Sequence, residues 1–68
     1  MPIVRVSMAA GRSEAQKQTV AQEITETLVR HCGVHAEHVY VLFEDVSPDE
    51  WIVGGQTITQ RKAARGET

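Results

Sequence analysis

The residue with the clearest capacity for chemistry is Pro2, which directly follows Met1. A small second residue favours removal of the initiator methionine, after which the chain would begin with the secondary amine of proline. The nitrogen of an internal proline is a non-basic amide, whereas an amino-terminal proline has a lone pair on a rigid ring and can accept and return a proton. The position alone also fits a second residue without a role. Pro2 is therefore a candidate general base that needs support from the rest of the chain.

A second group of reactive side chains surrounds Cys32, with His31 beside it and His35 and His38 a few positions later. Gly33 is expected to end the preceding helix, so the i, i+4 spacing of His31 and His35 is not held on one helical face. No carboxylate completes a recognisable metal motif. We therefore predict no metal site here, and we interpret Cys32, which has no second cysteine to pair with, as a buried thiol.

Two strands and one long helix are predicted to position these residues. The segment from Pro2 to Met8 contains branched aliphatic residues with few polar breaks, which indicates a strand. Ser13 and Gln16 have the spacing of a capping box, and Gly33 favours the end of the helix that begins there. Apolar residues recur at helical spacing in between, with Lys17 expected on the solvated side. This apolar stripe consists of Val20, Ala21, Ile24, Leu28 and Cys32.

A second strand, rich in branched and aromatic residues, is predicted from about Val39 to Glu44. A strand, a helix of about 20 residues and another strand form a right-handed crossover with two parallel strands, which is a β-α-β unit of the α/β (α+β) class. One helix covers only one face of such a sheet. We therefore expect the other face, lined with aliphatic side chains, to pack against another subunit.

The last third of the chain is predicted to hold a turn, a hairpin and a polar tail. The segment from Asp45 to Glu50 is rich in turn-forming residues. Adjacent glycines at Gly54 and Gly55 favour a tight bend within a short C-terminal hairpin that runs to Ile58. We expect the tail from Gln60 to Thr68 to be frayed or to lie on a neighbouring subunit.

Composition limits the partners of the protein. The chain has 68 residues, which we interpret as one domain over residues 1–68, and a domain of this size buries only about 60% of its unfolded surface. Because 41% of the residues are hydrophobic, oligomerisation is the expected source of further stability. The net charge of -2 offers no basic patch for nucleic acid or an anionic membrane. No apolar run approaches the roughly 18 residues of a membrane span, and no signal peptide is recognisable, so we expect a cytoplasmic protein.

Four sequence features together resemble the 4-oxalocrotonate tautomerase family of the tautomerase superfamily. They are Met1-Pro2-Ile3 opening a strand, Gly11-Arg12-Ser13 at the entry to the helix, the strand VYVLFED, and the segment Trp51 to Gly55. The features follow the family's order and spacing. The resemblance implies a β-α-β subunit that pairs into a four-stranded sheet, with three such dimers closing into a hexamer. It also implies proton transfer between the enol and keto forms of small 2-oxo acids, with Pro2 as base and then acid and with neither metal nor cofactor.

The resemblance assigns roles to Arg12 and Trp51. Arg12 matches the arginine after the loop glycine, whose guanidinium would hold the substrate carboxylate in a bidentate grip. Trp51 stands where the family has an aromatic residue, usually phenylalanine, that walls the pocket. An α-amino group titrates near 8 and a proline amine somewhat higher. Burial against Trp51 and the nearby charge of Arg12 would both disfavour the ammonium form of Pro2 and lower the pKa of its amine.

The important departure from the family pattern is Tyr40. At this place in the second strand, 4-oxalocrotonate tautomerase has an arginine that polarises the 2-oxo end of the substrate. A phenol donates one neutral hydrogen bond to an oxyanion but supplies neither a fixed charge nor a fork for a second carboxylate. We therefore favour a tautomerase for smaller or aromatic 2-oxo acids. The arginines Arg61 and Arg65 of the tail are candidates to replace the missing charge from a neighbouring subunit.

Two other interpretations stay open at this point. The protein could add water to an unsaturated acid, as in the dehalogenase branches of the superfamily, with Glu44 or Asp45 activating the water and protonated Pro2 acting as acid. Alternatively, the chain could be a non-catalytic subunit of a mixed hexamer. The pKa of the Pro2 amine distinguishes tautomerisation from water addition. A base requires a pKa near or below neutrality, whereas a general acid requires a pKa well above it.

Overall fold

The main body of the protein is a two-stranded parallel sheet covered on one face by a long helix. The computed structural model describes residues 1–66. Its elements are β1 at Ile3–Ala9, α1 at Glu14–Cys32, a single 3-10 turn at Ala36–His38, β2 at Tyr40–Val46, β3 at Ile52–Val53, β4 at Gln56–Thr57 and α2 at Ile58–Ala64. The predicted β-α-β crossover is confirmed. Both main strands begin one residue later than predicted, and they end one and two residues later.

The ends of α1 follow the predicted capping pattern. Ser13 caps the helix, since the Gln16 amide donates to its Oγ at 3.1 Å while its own amide donates to Gln16 Oε1 at 2.8 Å. At the other end, Gly33 has a left-handed φ of 67°, and its amide donates to the carbonyl of Val29 at 3.1 Å. Glycine adopts this conformation at little cost, which is why the helix ends there.

One face of α1 lies on the sheet. Side chains on a strand alternate between faces, and the face that α1 covers has the half-buried residues Val4, Val6, Met8, Val41 and Phe43. From the helix, the half-buried residues are Lys17, Ala21, Ile24, Thr25 and Leu28. The predicted stripe is thus confirmed in its centre, but Lys17 belongs to the covered side rather than to the solvated one.

The interpretation of Cys32 as a buried thiol is wrong for the single chain, because Cys32 is exposed. It is the last residue of α1, a helix of 19 residues and therefore about 28 Å long. The strands, with seven residues each, are only about 20 Å long. The last turn of α1 therefore extends past the sheet, and Cys32 continues the apolar stripe where no strand lies beneath it.

The opposite face of the sheet has no cover in the single chain. It carries Ile3, Arg5 and Ser7 from β1 and Tyr40, Leu42 and Glu44 from β2, all of them exposed. The expectation of an uncovered face is confirmed, but the face is not uniformly aliphatic. Its charged members lie near one another, and the Ser7 hydroxyl donates to Glu44 Oε1 at 2.9 Å.

The residues after β2 form a hairpin followed by a short helix. Gly54 and Gly55 have φ values of 60° and 84°, as a two-residue bend between antiparallel strands requires. The predicted hairpin is confirmed, and it ends at Thr57. Of the two possibilities for the tail, a frayed segment does not apply to residues 60–64, which are helical, because Thr57 and Gln60 form a second capping box; packing of the tail on a neighbouring subunit stays a prediction. Thr68 and the residue before it lie outside the described residues.

A single chain has no buried core. None of residues 1–66 is buried, and the accessible surface is 5283 Å², whereas a monomer of this mass is expected to expose roughly 4,200 Å². The radius of gyration is 15.7 Å, compared with about 11 Å for a compact domain of this length. A lone chain is therefore less compact and exposes more surface than a globular monomer of its mass. Within the same residues, no helix is long and apolar enough to cross a membrane.

Candidate active site

Pro2 lies immediately before β1 and is held there through its backbone. Its carbonyl oxygen accepts a hydrogen bond from the Tyr40 amide at 3.0 Å, which fixes it at the start of the parallel sheet. Pro2 itself is half-buried, whereas Met1 is 80% exposed. The peptide bond between them therefore lies at the surface, and removal of Met1 would cost little packing.

Tyr40 is the first residue of β2 and the backbone neighbour of Pro2. Its side chain is 46% exposed and lies on the uncovered face of the sheet, beside Ile3. Alternation from Val4 places the Pro2 ring on the opposite face, the one that α1 covers. The two residues thus share one end of the sheet while their side chains lie on different faces. We refer to Pro2 and Tyr40 as the amino-end group.

Arg12 lies at the other end of the sheet, in the connection from β1 to α1. It is exposed, and within residues 1–66 its guanidinium has no acceptor. It borders a cleft of about 480 Å³ between the end of β1 and the first turns of α1. The other residues that line this cleft are Met8, Ala15, Gln16, Lys17, Thr19 and Val20. The cleft is therefore largely apolar, with cationic side chains at its edge.

Trp51 also lies near the carboxyl end of the strands, after the turn that follows β2. It is half-buried, and its carbonyl accepts a hydrogen bond from the Ile58 amide at 2.9 Å, which ties it to the start of α2. We refer to Arg12 and Trp51 as the carboxyl-end group. Arg12 lies in the connection from β1 to α1, and Trp51 lies in the connection from β2 to β3. Both connections leave the parallel sheet at the same end.

The four predicted site residues do not meet within one chain. The amino-end and carboxyl-end groups are separated by the length of the seven-residue strands, which is about 20 Å. A small acid cannot contact Pro2 and Arg12 across that distance. A site that contains all four side chains therefore requires more than one copy of the chain, a point that the order of residues in the sequence does not reveal.

The two carboxylates considered for water activation already have partners. Glu44 accepts the hydrogen bond from Ser7 on the uncovered face. Asp45 points to the other face, where its Oδ2 lies 2.5 Å from Lys17 Nζ in an ion pair. Sequence reasoning missed this pair, although the position of Lys17, four residues before Ala21 in the apolar stripe, was the signal that could have revealed it.

The histidines near Cys32 do not gather into a larger cluster. The rings of His35 and His38 meet edge to face with their centroids 5.6 Å apart. Across the part of the chain that the structure describes, no group of three or more histidine, cysteine or acidic side chains is placed to hold a metal ion.

Comparison with known proteins identifies the family. The family model of tautomerase enzymes matches residues 2–61. A probable tautomerase from Ralstonia nicotianae is 43% identical over 56 residues, which is 82% of this chain and 86% of the relative.

Solved structures agree in fold and family. A structure from the 4-oxalocrotonate tautomerase isozymes of Methylibium petroleiphilum superposes with a TM-score of 0.87 at 33% identity, covering 93% of this chain and 98% of that one. A heterohexamer 4-oxalocrotonate tautomerase from Chloroflexus aurantiacus superposes with a TM-score of 0.81 at 28% identity, covering 88% and 97%. The chain therefore has the β-α-β tautomerase fold and belongs to the 4-oxalocrotonate tautomerase family, the family that its motifs resemble.

Proposed function

We propose that the protein interconverts the enol and keto forms of a 2-oxo acid, with the amine of Pro2 carrying the proton. The hydrogen bond from Tyr40 to the Pro2 carbonyl is the observation that carries this proposal, because it fixes the proline at the sheet's edge beside an exposed Met1. After loss of Met1, the nitrogen removes the proton from the enol oxygen. It then returns a proton to carbon 3, so that the net change is an isomerisation.

The active site is assembled between copies of the chain. The absence of buried side chains in residues 1–66 and the uncovered face of the sheet both support association. The separation of the amino-end group from the carboxyl-end group supports a site that spans a subunit boundary. We propose a homo-oligomer, a hexamer built as a trimer of dimers, in which Arg12 and Trp51 of one copy lie beside Pro2 of another.

Each residue of the assembled site then has a distinct task. Arg12, with no competing acceptor in the described chain, binds the substrate carboxylate. Tyr40 donates a hydrogen bond to the oxygen that gains negative charge. Trp51 walls the pocket and excludes water from the proline amine. Positive charge from Arg12 and burial against Trp51 lower the pKa of that amine, so that it is a base at neutral pH.

Ultraviolet absorbance tests this function through the ketonisation of phenylenolpyruvate and 2-hydroxymuconate. The protein is first checked by mass for loss of Met1, and a Pro2→Ala variant serves as the control. We expect activity that the variant lacks, because alanine puts a primary amine on a flexible chain in place of the fixed secondary amine. Equal rates for the two proteins would exclude Pro2 as the proton carrier.

The two alternatives make different predictions. Water addition requires a carboxylate that can orient a water molecule, yet Glu44 and Asp45 are engaged by Ser7 and Lys17. It also requires Pro2 to stay protonated at neutral pH. A non-catalytic subunit of a mixed hexamer would lack activity alone and would assemble only with a second chain; the heterohexamer 4-oxalocrotonate tautomerase from Chloroflexus aurantiacus is a precedent for mixed assembly. Pro2-dependent ketonisation by a homo-oligomer, with the pKa of the Pro2 amine near or below neutrality, would contradict both alternatives.

A further inference from the structure

We propose that the ion pair between Lys17 and Asp45 restricts this site to 2-oxo acids with one carboxylate and an apolar substituent. The inference rests on the proposed function, in which Arg12 binds the substrate carboxylate. It adds a reason for preferring one class of acid over another. The reason lies in the cleft beside Arg12 and in the charge balance of the groups that line it.

Two cationic side chains, Arg12 and Lys17, border the cleft, and they differ in whether an acidic partner neutralises them. Arg12 has no acceptor among residues 1–66. Lys17 is neutralised, since its Nζ lies 2.5 Å from Asp45 Oδ2, and the two side chains are 22% and 43% exposed. The charge of the ammonium is thus balanced by a carboxylate of β2. One uncompensated positive charge remains, which matches one carboxylate.

The rest of the cleft wall suits an apolar group. Its apolar lining residues are Met8, Ala15 and Val20. A ring or alkyl group on carbon 3 of the substrate can replace water on these surfaces, which is favourable in proportion to the apolar area that it covers. A second carboxylate in the same place would lose hydration without gaining an unpaired cation, because Lys17 is already paired with Asp45. The cleft therefore discriminates against dicarboxylates.

Asp45 is consequently a positioning residue: its ion pair with Lys17 prevents the Lys17 ammonium from binding a second substrate carboxylate. Removing its charge frees the Lys17 ammonium to pair with a second substrate carboxylate. An exposed ion pair changes affinity by up to about fivefold. The Asp45→Asn variant should therefore bind dicarboxylates about fivefold more tightly and leave monocarboxylate binding within twofold of the original.

Binding of two non-reacting acids by isothermal titration calorimetry tests this directly on the assembled protein. The probes are 3-phenylpropanoate, with one carboxylate and a ring, and cis,cis-muconate, with two carboxylates. Glu44→Gln is the matched control, since it removes the same charge from the adjacent residue on the other face of β2. We expect the original protein to prefer 3-phenylpropanoate, Asp45→Asn to lose that preference, and Glu44→Gln to keep it.

If Asp45→Asn assembles poorly, Lys17→Met provides a second test of the same ion pair. Lys17→Met leaves the Asp45 carboxylate without its cation next to a residue of the cleft wall, so this negative charge should weaken binding of the dianion muconate more than binding of 3-phenylpropanoate. An unchanged ratio of affinities in both variants overturns the inference, as does an equal shift in Glu44→Gln or no binding of either probe to the original protein. Failure of the proposed function has a different signature: Arg12→Met binds both probes as before, or turnover is independent of Pro2.

Discussion

Mixing two inactive variants should restore activity, because the structure puts Pro2 and Arg12 at opposite ends of a sheet about 20 Å long. In Pro2→Ala chains the carboxyl-end group is intact, and in Arg12→Ala chains the amino-end group is intact. An active site takes Pro2 from one copy and Arg12 from another. It is complete when the copy that supplies Pro2 is an Arg12→Ala chain and the copy that supplies Arg12 is a Pro2→Ala chain. In an equal, random mixture, each of these two positions is filled by the required variant in half of the sites.

The mixture should therefore recover about a quarter of the activity of the original protein, as expected for a closed oligomer with sites between subunits. The variants are unfolded together and refolded together so that subunits exchange, and ketonisation of phenylenolpyruvate is followed by absorbance. Pro2→Ala mixed with the double variant Pro2→Ala/Arg12→Ala is the control and should stay inactive. Recovery no greater than in that control, from oligomers confirmed to be mixed, would refute a site shared between copies.

Three further results are expected. Tyr40→Phe should lower kcat/KM for ketonisation by roughly 10²-fold if the phenol donates to the developing oxyanion, and a loss below threefold in steady-state assays would remove Tyr40 from that role. Ser13→Ala should cost about 1 kcal/mol in denaturant unfolding because it removes the α1 cap, whereas Thr27→Ala, which removes only a hydroxyl bonded to the carbonyl one turn earlier, should not destabilise the protein. On dilution, helical circular dichroism and oligomer mass should fall together, since no side chain in residues 1–66 is buried in a lone chain; a helical monomer after dissociation would show that one chain is stable alone.

Local sequence signals predicted the elements of the fold well. Ser13 with Gln16 and Gly33 mark the ends of α1 because capping depends on hydrogen bonds within a few residues. The paired glycines at 54 and 55 likewise set the hairpin through their own backbone conformation. The uncovered face of the sheet was predictable from the number of helices, because one long helix can cover only one of the two faces of a sheet.

Other features depended on contacts that no local pattern encodes. The pairing of Lys17 with Asp45 joins residues 28 positions apart, and it reverses the assignment of Lys17 to the solvated side. Cys32 continued the apolar stripe but lies beyond the end of the strands. The helix α2 was missed because the polar composition of the tail outweighed the Thr57 and Gln60 capping box. The division of the site between two ends of the sheet depends on the register of the parallel strands, which pairs Ile3 with Tyr40 at one end and Ala9 with Val46 at the other.

The protonation of the Pro2 amine at neutral pH is the most direct measure of whether this residue is the catalytic base. Nitrogen-15 NMR of protein labelled at proline, with loss of Met1 confirmed by mass, would follow that nitrogen through a pH titration. A catalytic base surrounded by Arg12 and Trp51 of another copy should have a pKa below the ordinary value of an α-amino group. A pKa above that value would contradict the role as base and favour a general acid in water addition.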